Sequence, residues 1–204
     1  MRTSRIRLLE IIVAVSVVVI SLASVIVAVQ QSRVMQAQLA ASVMPVVDYE
    51  QGNLHRDYPG GAIYLSFTNN GLGPADIRSL TTLYDGEPIR NPPDFLGWCC
   101  TPDSVPDEDG AAYVGGLFQA GELRLISSFV DGRIMAPGQR IDMIIMPRPD
   151  PETAPQGFAV WSALNDIRGR IGHEICYCSV LDECWRARFP EQRREPVRSC
   201  TARE

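Results

Sequence analysis

The hydrophobic positions of this 204-residue chain fall into three regimes. From Ile11 to Val29 there is no charge, proline or glycine. A helix of those residues is about 28 Å long at 1.5 Å per residue, close to the ~30 Å hydrocarbon core of a bilayer. Val and Ile are poor helix formers in water, but in lipid the backbone must satisfy its own hydrogen bonds and is helical regardless. We therefore expect a transmembrane helix over residues 8–29 that contacts the bilayer directly. Residues 30–44 are mostly good helix formers, with no glycine or proline before Pro45. They predict a helical stalk continuing out of the membrane.

From Pro45 the pattern changes to short runs rich in Val, Ile, Tyr, Phe and Thr, separated by Gly, Pro, Asn and Asp. That pattern predicts a mainly β domain, an antiparallel β-sandwich, over residues 45–189. Pro45 to Glu50 reads as a first strand. Ala62 to Asn69 alternates, with Ile63, Leu65 and Phe67 on one face. The cluster Asn70-Gly71-Leu72-Gly73-Pro74 reads as a turn whose glycines supply positive φ, returning Ala75 to Tyr84 as a hairpin partner. Asp85-Gly86 and Asp131-Gly132 read as further tight turns. Later strands are expected at Arg140–Met146, His173–Val180 and Cys184–Phe189, the last two joined by Leu181-Asp182-Glu183. Two stretches break the pattern. Cys99 to Gly110 is polar and proline-bearing and reads as a loop. Phe158, Trp161, Leu164 and Ile167 have helical spacing and predict one short crossover helix. Residues 190–204 form a polar, Arg-rich tail.

Charge adds an orientation. Arg2, Arg5 and Arg7 precede the apolar run and only Arg33 follows closely. The positive-inside rule puts residues 1–7 in the cytoplasm and the domain outside, periplasmic or extracellular, on a single-pass inner-membrane protein. A cleaved signal peptide is the competing reading, but the apolar run is long for one and no clean A-x-A site follows. The net charge of -5 gives no nucleic-acid footprint. The chain has no lysine, which removes Schiff-base chemistry and a P-loop. With only His55 and His173, any Ser-His-Asp arrangement or histidine metal site must use those two. His173-Glu174 lacks a second histidine four residues on and reads as a strand-edge residue. No nucleophile or cofactor motif is present, so no catalytic residue, cofactor or metal is expected, and the chain does not read as an enzyme.

The order Asn69-Asn70-Gly71-Leu72-Gly73-Pro74-Ala75, then Tyr84-Asp85-Gly86, then Ala136-Pro137-Gly138-Gln139 resembles bacterial immunoglobulin-like modules of the cell-adhesion-related type. With Tyr177-Cys178-Ser179-Val180-Leu181-Asp182-Glu183-Cys184-Trp185 near the end, the layout also resembles a broad set of uncharacterised bacterial signal-anchored proteins. The resemblance implies a tethered β-sandwich and carries over no functional residue, because its motifs are turn chemistry.

Six cysteines, Cys99, Cys100, Cys176, Cys178, Cys184 and Cys200, read first as disulfides in an exported domain. Fifteen pairings are open. Cys99 and Cys100 are adjacent, and Cys176 and Cys178 share a strand face too widely spaced for an easy bridge. We expect the Cys99-Cys100 loop tied to the late hairpin and Cys200 pinning the tail. A free-thiol count without reduction tests this. The alternative is a metal-binding or thiol-redox role for Cys176, Cys178 and Cys184. Asp103, Asp107 and Asp109 make an acidic loop that fails the EF-hand pattern and reads as solvated. Trp161 and Trp185 read as core. Trp98, beside that loop, is expected together with Asp103, Asp107 and Asp109 to contact a partner, a protein in the membrane or periplasm.

Overall fold

The structure is a computed structural model that describes the backbone of residues 2–200 and the side chains of residues 12–200. The side chains of Arg2, Arg5 and Arg7, on which the orientation rests, and tail residues 201–204 lie outside the described residues.

Helix α1 (Arg2–Ser42) runs unbroken past the expected boundary at residue 30. Its Ile12–Ser42 segment is long and apolar enough to cross a membrane. Its serines do not interrupt it, because Ser16 Oγ donates to Ile12 O and Ser24 Oγ to Ile20 O, each at 2.8 Å. The chain divides after Ser42 into a second compact unit.

That unit is mixed helix and antiparallel sheet rather than mainly β. One sheet has the order β1-β2-β7-β5, from β1 (Val47–Gly52), β2 (Ala62–Asn69), β7 (Arg140–Pro147) and β5 (Ile126–Ser127). The other has the order β10-β9-β8-β3-β4, from β10 (Arg193–Val197), β9 (Cys184–Phe189), β8 (Ile171–Cys178), β3 (Ala75–Tyr84) and β4 (Glu87–Pro88). A short β6 (Ile134–Met135) adds to the start of β3. Three helices complete the unit: α2 (Pro92–Cys100), α3 (Gly110–Ala120) and α4 (Pro155–Ile167).

The sheets share one core. Ile63, Leu65 and Phe67 from β2 cluster with Ile77 from β3 and Ile175 and Tyr177 from β8. The period-2 pattern puts each set on one face, so burying them joins the sheets. Helix α4 adds Val160, Trp161 and Leu164, the helical face expected, and Trp161 Nε1 donates to Met146 O at 3.0 Å. Trp185 is partly buried, stacked on Tyr177.

Four expectations need correction. First, β2 and β3 are not a hairpin: β2 pairs with β1 and β7, and β3 with β8 in the other sheet. The Asn70–Pro74 turn carries the chain between sheets. Its hub is the fully buried Asn69, whose Nδ2 donates to Gly73 O (2.9 Å) and Met135 O (3.0 Å) while Oδ1 accepts from Gly71 N (3.0 Å) and Val46 N (3.2 Å). Second, Gly71 and Gly73 are not there for positive φ. A Cβ on Gly73 would lie 1.9 Å from Val43 O, and one on Gly71 2.3 Å from Val46 N, so backbone contact demands glycine. Third, Cys99 to Gly110 is not one loop. It holds the end of α2, a turn, a 3-10 segment (Asp107–Asp109) and the start of α3. Asn91 followed by Pro92 at the first helical position starts α2. Gly97 and Gly110 then let the helices touch backbone to backbone: a Cβ on either would come within 2.4 Å of the other helix. Fourth, β8 is internal to its sheet and His173 is fully buried, not at an edge.

Arg193, Arg194, Glu195 and Pro196 occupy the outer strand β10. Arg194 bonds Val47 O of β1 (3.2 Å) and the Asp48 carboxylate, clasping one sheet's rim to the other.

Candidate functional sites

Among the described residues, chemistry-bearing side chains gather in three places besides the Glu174–Arg186–Arg188 ion-pair network of β8 and β9. The first is a polar pocket of about 300 Å³ lined by Glu50, His55, Asp57, Tyr64, Arg140 and Asp142. Arg140 is its centre. It bonds Glu50 Oε2 (2.6 Å), Asp142 Oδ1 (2.8 Å) and Ser66 Oγ (2.8 Å), and its guanidinium lies 5.2 Å from the Tyr64 ring. Burial alone would raise the Asp142 pKa, but hydrogen bonds from Arg140 and Ser66, with the Arg140 charge, hold it below the usual carboxylate range. Tyr64 is pushed up by burial and by its 3.0 Å hydrogen bond to Glu50.

This pocket brings Ser66, Asp142 and His55 together, but in the wrong order for a nucleophilic triad. Ser66 Oγ donates to Asp142 (2.8 Å), and His55 Nε2 faces the other oxygen of the same carboxylate at 3.7 Å. The carboxylate stands between serine and imidazole, so the imidazole does not reach the hydroxyl, and the Asp142 carboxylate that does is made a weaker base by Arg140. The pocket's carboxylates Glu50 and Asp142 are both paired with the Arg140 guanidinium. A metal does not fit His55 either. Asp57 approaches its Nδ1 (3.9 Å) and Asp142 its Nε2, from opposite sides of the ring.

The second place is an aromatic platform. Trp98, 59% exposed on α2, meets Tyr84 at the end of β3 edge-on (5.6 Å between centroids) and Phe95 at 6.1 Å, while Tyr84 and Phe95 are 5.2 Å apart. Together they line an open cleft with Asp85, Glu87, Arg90, Asn91 and Asp94. Arg170 stacks over the far side of Tyr84 (4.6 Å) and bonds Asp85, and its hydrogen bonds hold the Asp85 carboxyl below its ordinary pKa. Trp98 was singled out from sequence, but its companions were not, because topology alone brings Tyr84 to α2. Asp103, Asp107 and Asp109 are exposed and do not line this cleft. Asp94 takes the acidic position instead.

The platform is braced from below. Cys99 and Cys100 are bonded to each other, with Cα atoms 3.7 Å apart, which corrects the expected link to the late hairpin. The hairpin cysteines are already used: Cys178 pairs with Cys184 and Cys176 with Cys200. The vicinal bridge closes a small ring on the last turn of α2, directly after Trp98. Thr101 Oγ1 caps that turn by donating to Gly97 O at 2.7 Å.

The third place is the sulfur cluster itself. Cys178 and Cys184 are direct cross-strand partners where the β8–β9 hairpin turns. Cys176 lies on the same β8 face as Cys178, as its spacing implies, and Cys200 pins the tail as expected. Cys178 Sγ is only 3.7 Å from Cys200 Sγ, so the two disulfides touch.

The fully buried His173 belongs to none of these sites. His173 sits 4.5 Å from the Tyr49 ring and 5.3 Å from Phe67, with its Nδ1 3.3 Å from Thr82 Oγ1. Burial lowers its pKa to about 4. Tyr49 is raised far above its ordinary value by burial.

Compared with protein-family models, curated proteins and solved structures, the chain matches none.

Proposed function

We propose that this chain is a single-pass membrane protein with a cytoplasmic N-terminus, whose extracytoplasmic immunoglobulin-like β-sandwich binds a protein partner through the Tyr84–Phe95–Trp98 platform. The apolar helix and the arginines before it support the topology. Three disulfides agree with an oxidising compartment. Strand order supports the fold. The sheet β1-β2-β7-β5 corresponds to the A-B-E-D sheet of an immunoglobulin domain, and β9-β8-β3-β4 to G-F-C-C′. Here α2 and α3 are inserted after C′, α4 joins E to F, and β10 extends the second sheet.

The platform is the observation that carries the binding role. A solvated indole on a backbone-locked helix, ringed by charges of both signs, is how interface hot spots are built. Photocrosslinkers placed at Trp98 and at Arg90 in the full chain, in native membranes, should capture the same discrete protein. A probe at Arg193 on β10 should not capture it. Absence of an adduct from both platform positions, or an equal yield from Arg193, would overturn the proposal.

A further inference from the structure

We infer that Cys176, Cys178, Cys184 and Cys200, once reduced, form a tetrathiolate site for a soft cation such as Zn²⁺. The inference is independent of what the platform binds. Tetrahedral zinc with Zn–S bonds of about 2.3 Å holds its sulfurs about 3.8 Å apart. Cys178 Sγ and Cys200 Sγ already stand at 3.7 Å, and the Sγ atoms of Cys178, Cys184 and Cys200 all lie within 4.8 Å of one another. The fourth sulfur, Cys176, is bonded to Cys200 but lies outside that three-sulfur group, so it must swing in once its disulfide opens. The Cα separations are 4.0 Å for Cys178–Cys184 and 5.6 Å for Cys176–Cys200. Side-chain rotation therefore suffices to open each pair to metal-ligand spacing, without moving a strand.

The surroundings suit the charge. Four thiolates around a divalent cation carry a net charge of about -2. Arg78 and Arg198 line the cleft on this cluster, with Asp182 as the opposing carboxylate. Arg198 and Arg78, the latter also paired with Asp76 at 2.7 Å, favour thiolate over thiol and offset the anionic complex.

The conversion balances. Two molecules of an external dithiol each give two electrons and two protons to one disulfide and leave as cyclic disulfides. The four resulting thiols lose their protons when the cation binds. Cys200 is a partner in both states, so the tail stays fastened to β8 whether the fastening is a disulfide or a metal.

The test uses the full chain in detergent, reduced and kept anaerobic, titrated with Co²⁺. One equivalent should saturate an intense thiolate-to-cobalt band and the visible bands of a tetrahedral ion, and Zn²⁺ should displace it. Cys184→Ser and Cys200→Ser should each weaken Co²⁺ binding by about tenfold or more, while a Cys99→Ser/Cys100→Ser chain should bind as the parent does. The unreduced chain should bind none. Thiol-alkylation mapping by mass spectrometry covers variants that fold poorly. With Zn²⁺ present, Cys176, Cys178, Cys184 and Cys200 should be protected while Cys99 and Cys100 react. A reduced chain with no tetrahedral spectrum, equal alkylation of all six thiols under Zn²⁺, or binding lost in the Cys99→Ser/Cys100→Ser chain would overturn the inference.

Discussion

Replacing Asn69 by alanine should cost more than replacing any exposed polar residue of this domain. The side chain is fully buried and makes four hydrogen bonds, two as donor and two as acceptor. All four partners are backbone groups, on the segment leading into β1, in the turn, and on β6. Alanine leaves two carbonyls and two N–H groups beside a small void. At about 1 kcal/mol per bond, and up to about 3 for a buried group left unsatisfied, Asn69→Ala should destabilise by about 3–5 kcal/mol. That is a large share of the roughly 5–15 kcal/mol that holds a domain together. Asn70 is the internal control. It is exposed and makes one bond, to Asp48 Oδ2 at 2.7 Å, so Asn70→Ala should cost under about 1 kcal/mol. Urea unfolding of both variants and the parent in detergent, followed by tryptophan fluorescence, reads the difference. If Asn69→Ala lost less than about 1 kcal/mol, or no more than Asn70→Ala, the view of Asn69 as the hub joining turn, β1 and β6 would be wrong.

Three further outcomes are expected. His173 has a folded-state pKa of about 4, below the ordinary 6.5, so the neutral core form contributes stability that is full above pH 6.5 and is lost as pH falls through 4. The parent should therefore lose about 3 kcal/mol more than His173→Gln between pH 7 and pH 4 in matched urea titrations, and parallel curves would refute the assignment. Trp98→Ala should cost only about 1 kcal/mol of stability, from its contacts with Tyr84 and Phe95, yet it should abolish the adduct from a crosslinker at Arg90. Arg140→Met should cost about 1 kcal/mol at low salt, with the difference shrinking at 1 M salt, since the network it centres on is partly exposed. A salt-independent loss would point to packing instead.

Where apolar and polar residues alternate between turn clusters, the sequence pattern was readable to the residue. Ala62–Asn69, Ala75–Tyr84 and Cys184–Phe189 are strands with the bounds that alternation suggests. Strand β8 runs from Ile171 to Cys178 rather than from His173 to Val180, because Ile171 and Gly172 pair with Tyr84 and Leu83 of β3, a contact that no local pattern marks. Helix α3 went unread because Gly115 and Gly116 interrupt its pattern, although Val114, Leu117 and Phe118 keep helical spacing on the core side. The pairing of β3 was hidden for a different reason. Nearness along the chain favours a hairpin, and only the bonds around Asn69 send the strand to the other sheet. Of the candidate sites, Trp98 was visible as an isolated indole. Tyr84 and Phe95 join it only through folding, and the contact between two disulfides depends on a tail whose path no local pattern encodes.

The clasp at Arg194 has a consequence for how this domain tolerates its own kind. Tethered as proposed, the domain would meet neighbouring copies at high local density, where an open sheet rim would invite sheet-to-sheet fusion. Here Pro196 withholds an N–H from the β10 rim and Arg193, Arg194 and Glu195 charge it, Arg194 occupies the Val47 carbonyl on β1, and the opposite rims β4 and β5 are two residues long. Copies can thus be crowded on a surface without zipping into a continuous ribbon. The proposed recognition would then fall to side chains, which discriminate between partners as backbone pairing does not.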